Sequence, residues 1–256
     1  MKKKCNLHVI ATMGFLVFAT LAVASASQPP GESVPSPLVA HYEESPTHDD
    51  FLLTILGDDN GITIVRYTGN DRHVDIPRHI QGMAVTGIGS SVFMGGYHLT
   101  AVTIPDSVVH IWDRAFTNNR LTNVNIPNSV VFIGDFAFEM NRLTEISIPD
   151  SVMHIGNRAF ANNPTLTSIT IGDGLGVLYE GVFAMGSLRN VSQISIGANV
   201  ALYNSEPPRF IAAERMVWWA PESIVWRGFR AAYEANGHRA GVYTVNANGV
   251  WSWQAR

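Results

Sequence analysis

The chain has 256 residues, of which 46% are hydrophobic and 15% are charged, and its formal net charge at pH 7 is −4. This length and apolar content predict one sizeable core or two small ones and exclude disorder over most of the sequence. The acidic balance argues against a nucleic-acid-binding protein, and a single cysteine excludes a disulfide framework.

The N-terminal segment 1–26 has the pattern of a secretory signal peptide. Lysines at positions 2–4 precede an apolar run at 9–23, and Ala24-Ser25-Ala26 predicts cleavage directly after Ala26. The run is shorter than the ~20 residues that a membrane-spanning helix needs, and no later segment approaches that length. We therefore expect an exported chain without an integral membrane segment, in the periplasm, on the outer surface or secreted.

Residues 27–50 are rich in proline, serine and acidic residues, a composition that predicts a flexible tether. Within it, His41 and His48 with Asp49 and Asp50 are a conceivable weak metal site. A flexible acidic segment with two histidines is usually solvated, so we predict no metal there.

From Leu99 the sequence repeats itself. Copies start at Leu99, Leu121, Leu143 and Leu166, and a degenerate copy starts near Val191. The isoleucine before the Pro or Gly of each copy recurs at Ile104, Ile126, Ile148, Ile171 and Ile196. The spacing of these copies lies within the range of leucine-rich repeats, and residues 74–96 fit an atypical first copy.

Each copy predicts two short strands and a tight loop. In residues 121–126, the alternation of apolar and polar side chains predicts a half-buried first strand that Pro127 ends. Val130 and Ile133 predict a second strand, and Phe138 is expected to fill the space between the two strand layers. Stacked copies would then form one interior aromatic column, Phe93, Phe116, Phe138, Phe160 and Phe183.

The landmarks L-x-x-I-x-I-P, V-x-x-I-G and A-F at fixed offsets resemble the BspA-like, or treponemal-type, leucine-rich repeat over about residues 51–254. The resemblance implies a leucine-rich-repeat solenoid at 74–204, a right-handed α/β superhelix that is predominantly β with short parallel strands. It also implies an N-terminal β-hairpin cap at 51–73 and a C-terminal helix-plus-hairpin capping module at 205–256. In that module, Trp226, Phe229 and Tyr233 fall on one helical face, Gly237 suits the helix end, and residues 246–249 suit a hairpin turn.

The repeats predict no catalytic or metal site, because they place equivalent side chains about 4.8 Å apart along a line rather than around one point. His110 and His154, two copies apart, would lie roughly 10 Å from each other, too far to share a zinc ion. Glu222, Glu234 and His238 in the C-terminal module have no recognisable catalytic spacing. We therefore predict a protein that is not an enzyme and takes no cofactor.

The outward residues of the first strands predict a small-polar stripe. Short hydroxyl and amide side chains lose little conformational entropy when a partner immobilises them. Its two columns are Ala101, Asn123, Glu145, Ser168, Gln193 and Thr103, Asn125, Ser147, Thr170, Ser195. From it we select Asn123, Asn125, Glu145, Ser147, Ser168 and Thr170 as ligand-binding candidates.

The outward residues of the second strands are apolar, which suggests a contact surface. The candidates here are Val109, Val131 and Met153 in one column, with Phe132 and Trp112 beside it. Three uses are open: a partner binds there, the N-terminal hairpin or tether covers the face, or the chain associates with itself.

Arginines recur at two positions of the repeat. One position holds Arg120 and Arg142, and the other holds Arg114 and Arg158. They suit either an anionic ligand or the preferred local pairing with Asp113, Asp135 and Glu139, while Asp106, Asp150 and Asp173 are expected to form turns by bonding their own backbone.

The family that the chain resembles consists of bacterial exported proteins, several of them implicated in attachment to host proteins and in cell–cell contact. The resemblance therefore implies an adhesin-like protein-binding scaffold with a host or matrix protein as partner. The alternative is a periplasmic structural or assembly protein that homo-oligomerises through the apolar second-strand face.

Overall fold

A computed structural model describes residues 50–55, 61–96, 98–184, 186–198, 200–203 and 224–255. The predicted signal peptide and all but the last residue of the predicted tether lie outside the described residues. We number the repeat copies as coils 1 to 5, which start at Leu99, Leu121, Leu143, Leu166 and Val191.

Short strands dominate the described chain. Residues 224–235 form helix α1 (Ile224–Ala235), and two 3-10 turns occupy Glu180–Phe183 and Ser187–Asn190. The strands are β1 (Phe51–Ile55), β2 (Gly61–Tyr67), β3 (His73–Asp75), β4 (His79–Ile80), β5 (Met83–Ile88), β6 (Ala101–Thr103), β7 (His110–Ile111), β8 (Phe132–Ile133), β9 (Glu145–Ile148), β10 (His154–Ile155), β11 (Ser168–Ile171), β12 (Val177–Tyr179), β13 (Gln193–Ile196), β14 (Ala201–Tyr203), β15 (Gly241–Val245) and β16 (Trp251–Gln254). This is the predicted leucine-rich-repeat solenoid.

Strand β5 and the second strands of coils 1 to 3 pair in parallel in the order β5-β7-β8-β10, with His110, Phe132 and His154 in register. The second strands of coils 4 and 5, β12 and β14, pair with each other in a separate two-stranded sheet. The antiparallel hairpin β1-β2 joins the larger sheet edge-on, because β2 pairs with β5 in parallel. The hairpin therefore continues the sheet in its plane and does not cover its outer face, which excludes the hairpin as the cover of that face.

The first strands form a sheet that is interrupted at coil 2. Strands β9, β11 and β13 pair in parallel, whereas β6 pairs only with β3 on the other side of the break. Residues 121–126 alternate between buried and exposed as predicted, with Leu121, Val124 and Ile126 in the core. The strand predicted there is nevertheless wrong, because the described residues 123–126 form no backbone hydrogen bond with coil 1 or coil 3 and belong to no sheet.

The interior aromatic column is confirmed. Successive rings from Phe93 through Phe116, Phe138 and Phe160 are stacked with centroids 5.1, 5.2 and 5.3 Å apart, and Phe183 follows at 6.1 Å. All five side chains are buried. Stacking on two neighbours gives each ring contacts that a single coil lacks, so each coil depends on those beside it.

A buried asparagine ladder runs beside the phenylalanines. In coil 2, the Asn141 amide donates to the carbonyls of Phe116 (3.0 Å) and Phe138 (3.1 Å), and its oxygen accepts from the Leu121 N–H (3.1 Å). Asn119 and Asn163 repeat the pattern. The ladder satisfies loop backbone groups that the interior would otherwise leave unpaired.

The C-terminal helix packs on the last coil. Trp226, Phe229 and Tyr233 are buried on one face as predicted, and the Tyr233 hydroxyl accepts from the Val200 N–H at 3.1 Å. The helix ends in a Schellman motif, in which His238 N–H donates to the Tyr233 carbonyl and Gly237, with φ +65°, donates to that of Glu234. Among the residues that the structure describes, no helix is long and apolar enough to span a bilayer.

Candidate binding surfaces

The first-strand face is the set of outward side chains on β9, β11 and β13, on the hairpin strands β15 and β16 that extend their sheet, and on the equivalent residues 123–126 of coil 2. Glu145, Ser168 and Gln193 lie in one row, because their strands pair in register, and Ser147, Thr170 and Ser195 lie in the other. The predicted columns are therefore correct over coils 3 to 5. They are not unbroken, since Ala101 and Thr103 pair with His73 and Asp75 across the interruption.

The C-terminal hairpin continues this face, a feature that the repeat pattern does not predict. Strand β15 pairs antiparallel with β13, and β16 pairs with β15. The register adds Thr244 and Ser252 to the row of Glu145, and the two hydroxyls lie 3.1 Å apart. Val242 joins the other row beside Ser195. Ser195 is only 6% exposed, so it does not belong to the accessible part of the predicted stripe.

A cleft of about 210 Å³ opens in the first-strand face at coils 2 to 4. Its wall contains Val124 and Ile146 together with the six polar candidates chosen from the sequence: Asn123, Asn125, Glu145, Ser147, Ser168 and Thr170. The structure thus brings all six together around one depression. The remaining five candidates lie on the other sheet.

The interruption at coil 2 accounts for the polarity of the cleft. Inter-coil backbone bonds are present just before it, from Arg142 N–H to the Leu121 carbonyl (2.9 Å) and from Thr144 N–H to the Thr122 carbonyl (3.1 Å). Over the described chain, none joins residues 123–126 to coil 1 or coil 3. Backbone N–H and C=O groups that a continuous sheet would pair therefore have no inter-coil partner at residues 123–125, which line the cleft.

The second-strand face carries an aromatic file. The His110 and Trp112 rings lie 5.4 Å apart, Trp112 and Phe132 lie 5.3 Å apart, and Phe132 stacks on His154 at 4.9 Å. Because these rings cover one another, Trp112, Phe132 and the neighbouring Val109 and Val131 are half-buried rather than fully exposed. Met153 is 70% exposed and is the most accessible apolar side chain of this face.

The histidines of this file form no metal site. Phe132 lies between His110 and His154, with ring centroids 6.5 and 4.9 Å from theirs. In the described part of the chain, no group of three or more His, Cys, Asp or Glu side chains is placed to hold a metal ion.

The repeat landmarks and the stacked coils agree with a known protein family. Residues 83–204 match the model of the BspA type leucine-rich repeat region in six copies. These residues form a BspA-type leucine-rich repeat region. Proteins with this type of repeat are surface proteins and binding scaffolds, and they are generally not enzymes. No curated protein matches the chain.

Solved structures of leucine-rich-repeat proteins are similar to the chain. The leucine-rich repeat protein of T. pallidum is 25% identical, with a TM-score of 0.49, over 63% of this chain and 86% of that one. A leucine-rich repeat protein from Bacteroides ovatus is 20% identical, with a TM-score of 0.44, over 62% of this chain and 52% of that one. The pneumococcal vaccine antigen PcpA is 20% identical, with a TM-score of 0.39, over 61% of this chain and 46% of that one.

The arginines of the BspA-type region divide into two groups. The Arg114 guanidinium lies 4.6 Å from the centre of the Phe136 ring. Burial raises the pKa of Glu139, and the charges of Arg158 and Arg114 oppose that rise. Arg120 and Arg142 are exposed and belong to no ion pair with a residue that the structure describes, so the preferred local pairing is wrong for these two.

The aspartates connect successive coils of the BspA-type region. Asp113 accepts from the Asp135 N–H at 2.9 Å, and Asp135 accepts from the Asn157 N–H at 2.7 Å. Asp150 accepts from the Asp173 N–H at 2.9 Å. The expectation that Asp150 bonds its own turn is therefore wrong, because the stacked coil above presents its N–H to that carboxylate.

Proposed function

We propose that this protein is an extracellular or periplasmic protein-binding scaffold, an adhesin-like protein that attaches to host or matrix proteins through its first-strand face. The observation that supports the proposal is the cleft in that face, which six short polar side chains surround. We infer the location from the N-terminal sequence pattern, which favours export.

The face suits a protein partner for physical reasons. Its hydroxyl and amide side chains each offer both hydrogen-bond donors and acceptors, and most of them stand on strands whose pairing holds them in place. Little conformational entropy is therefore lost on binding, so a larger share of the contact energy contributes to affinity. The C-terminal hairpin widens the face by two strands.

The test is capture of purified extracellular-matrix proteins by the immobilised protein. The double variant Asn125→Glu, Ser147→Glu places two carboxylates at the cleft and should abolish binding of any matrix protein that the native chain captures. The matched control, Thr68→Glu, Ser90→Glu, adds the same charge at exposed positions outside the face and should bind normally. Equal binding by both variants, with unchanged circular dichroism, would refute the assignment of the face.

A second function, self-association through the second-strand face, is favoured by the exposure of Met153 beside the aromatic file. Size-exclusion chromatography with light scattering tests it. A defined oligomer that Val131→Glu or Met153→Glu dissolves, and that Val177→Glu leaves intact, would support assembly. A monomer in all four proteins would exclude it.

A further inference from the structure

The row of Glu145 on the first-strand face contains a single ionisable side chain. Its register neighbours are Ser168 and then Gln193, Thr244 and Ser252, all of which are neutral. Glu145 itself is exposed and forms no ion pair with any residue that the structure places. The cleft in the proposed binding face therefore contains one carboxylate that has no ion-pair partner among the described residues.

Side chains that can accept hydrogen bonds line the cleft around this carboxylate. They are those of Asn123, Asn125, Ser168 and Thr170, each of which has an amide or hydroxyl oxygen. The break in the sheet adds the carbonyls of residues 123–126, which accept no inter-coil bond in the described structure. A carboxylate accepts hydrogen bonds and does not donate them, so a cation with several N–H donors complements the cleft best.

The size of the cleft narrows the choice of cation. A volume of about 210 Å³ holds roughly seven water molecules at about 30 Å³ each. An arginine side chain has about the same number of non-hydrogen atoms, and its planar guanidinium forms two parallel bonds with one carboxylate. A lysine ammonium is a point charge with three donors and leaves more of the acceptors unpaired.

The residues that precede the face in the sequence, here called its rim, carry the opposite charge. Arg142 lies three residues before Glu145, a span of about 10 Å in extended chain, and Arg120 occupies the same position one coil earlier. Both are exposed and have no ion-pair partner among the placed residues. These cations repel a purely basic partner and attract one in which an acidic side chain accompanies the basic one.

We propose that the Glu145 cleft takes an arginine side chain of the protein partner, while an acidic side chain of the same partner segment pairs with Arg142. The inference rests on the proposed function, since it names the chemistry that the first-strand face recognises. The guanidinium forms a bidentate pair with Glu145, and the Asn123 and Asn125 amide oxygens accept its outer N–H groups.

The first test uses N-acetyl-arginine amide as probe and N-acetyl-citrulline amide, its uncharged isostere, as the control. In two-dimensional NMR of the ¹⁵N-labelled protein, the arginine probe should shift the Asn123 and Asn125 side-chain amide signals saturably, with a dissociation constant on the order of 10 mM or below. Glu145→Gln should raise that constant at least tenfold, whereas Glu139→Gln, outside the cleft, should leave it unchanged. Equal shifts from the citrulline probe, or no effect of Glu145→Gln, would overturn the assignment.

The second test addresses the rim. An acetylated, amidated tetrapeptide Arg-Ser-Ser-Glu should bind more tightly than Arg-Ser-Ser-Gln, and Arg142→Gln should remove the difference. Persistence of the difference in Arg142→Gln would exclude the rim contact.

The outcomes separate this inference from the proposed function. If the probes fail while the double variant Asn125→Glu, Ser147→Glu still abolishes protein capture, the arginine assignment is wrong and the proposed function stands. If capture survives that double variant, the proposed function fails whatever the probes do.

Discussion

The substitution Phe138→Ala tests the stacking on which the solenoid depends. Phe138 is completely buried, and its ring lies between those of Phe116 at 5.2 Å and Phe160 at 5.3 Å. Burial of a phenylalanine contributes about 1.5–3 kcal/mol, and each aromatic pair adds about 0.5–1.5 kcal/mol. Neither neighbour can move into the space, because each is held by the next ring of the column. We therefore expect a loss of about 3–5 kcal/mol in the free energy of unfolding.

Urea unfolding followed by circular dichroism measures this loss. The matched control is Phe132→Ala, which removes the same side chain from the half-buried second-strand face and should cost about 1–2 kcal/mol, as for partial burial. The slope of free energy against urea must be compared as well, since a weakened coil can make the two halves of the stack unfold separately. A Phe138→Ala loss no larger than that of Phe132→Ala would refute the reasoning.

Three further predictions concern the backbone and the electrostatics. Asn141→Leu leaves the buried Leu121 N–H without its partner and removes one of the two amide donors to each of the Phe116 and Phe138 carbonyls, which keep Asn119 and Asn163. It should lower the free energy of unfolding by about 1–3 kcal/mol, and an unchanged urea midpoint would contradict the ladder's role. Gly134→Ala places a Cβ 2.6 Å from the Asp113 backbone nitrogen and should lower the free energy of unfolding by about 1–3 kcal/mol, with a lower melting temperature. In the control Gly96→Ala, the added Cβ has no atom within 4 Å, so the melting temperature should not change. The pKa of Glu139 is raised from 4.5 by burial, so the unfolded state loses this proton first as the pH rises. The native protein should therefore lose stability relative to Glu139→Gln as the pH rises above 4.5. A pH-independent difference in urea midpoint would refute this.

Much of the fold could be predicted from the spacing of a few residue types. The regular period of the copies places each landmark phenylalanine, which follows Ala or Val, above the last, so the column from Phe93 to Phe183 follows from repetition alone. The inward side of residues 121–126 was also correct, because alternation reports burial. Strand pairing at the same residues was not, because it depends on the distance to coils 1 and 3, which alternation does not encode.

The loop conformations show a second limit of the sequence. Phe136 and Met140 have φ values of +60° and +57°, although neither residue type favours the left-handed region. Their N–H groups donate to the carbonyls of Asn157 and Ala161 in the next coil, at 2.9 and 3.0 Å. Stacking on the next coil therefore holds these two residues of coil 2 at positive φ, which their residue types disfavour. The sequence signal for it is that Asn118 and Asn162, a residue type that tolerates positive φ, occupy the position of Met140 in the neighbouring coils.

Three features follow from the amino-acid sequence alone: which side chains enter the core, the order of the coils, and the six polar residues that face outward together. Three others required the folded chain: the break in the sheet at coil 2, the cleft that it opens around Glu145, and the burial of Ser195 beside the C-terminal hairpin. The difference lies in the range of the interactions. Side-chain direction is set by near neighbours along the chain, whereas a cleft exists only through the spacing of strands that belong to different coils.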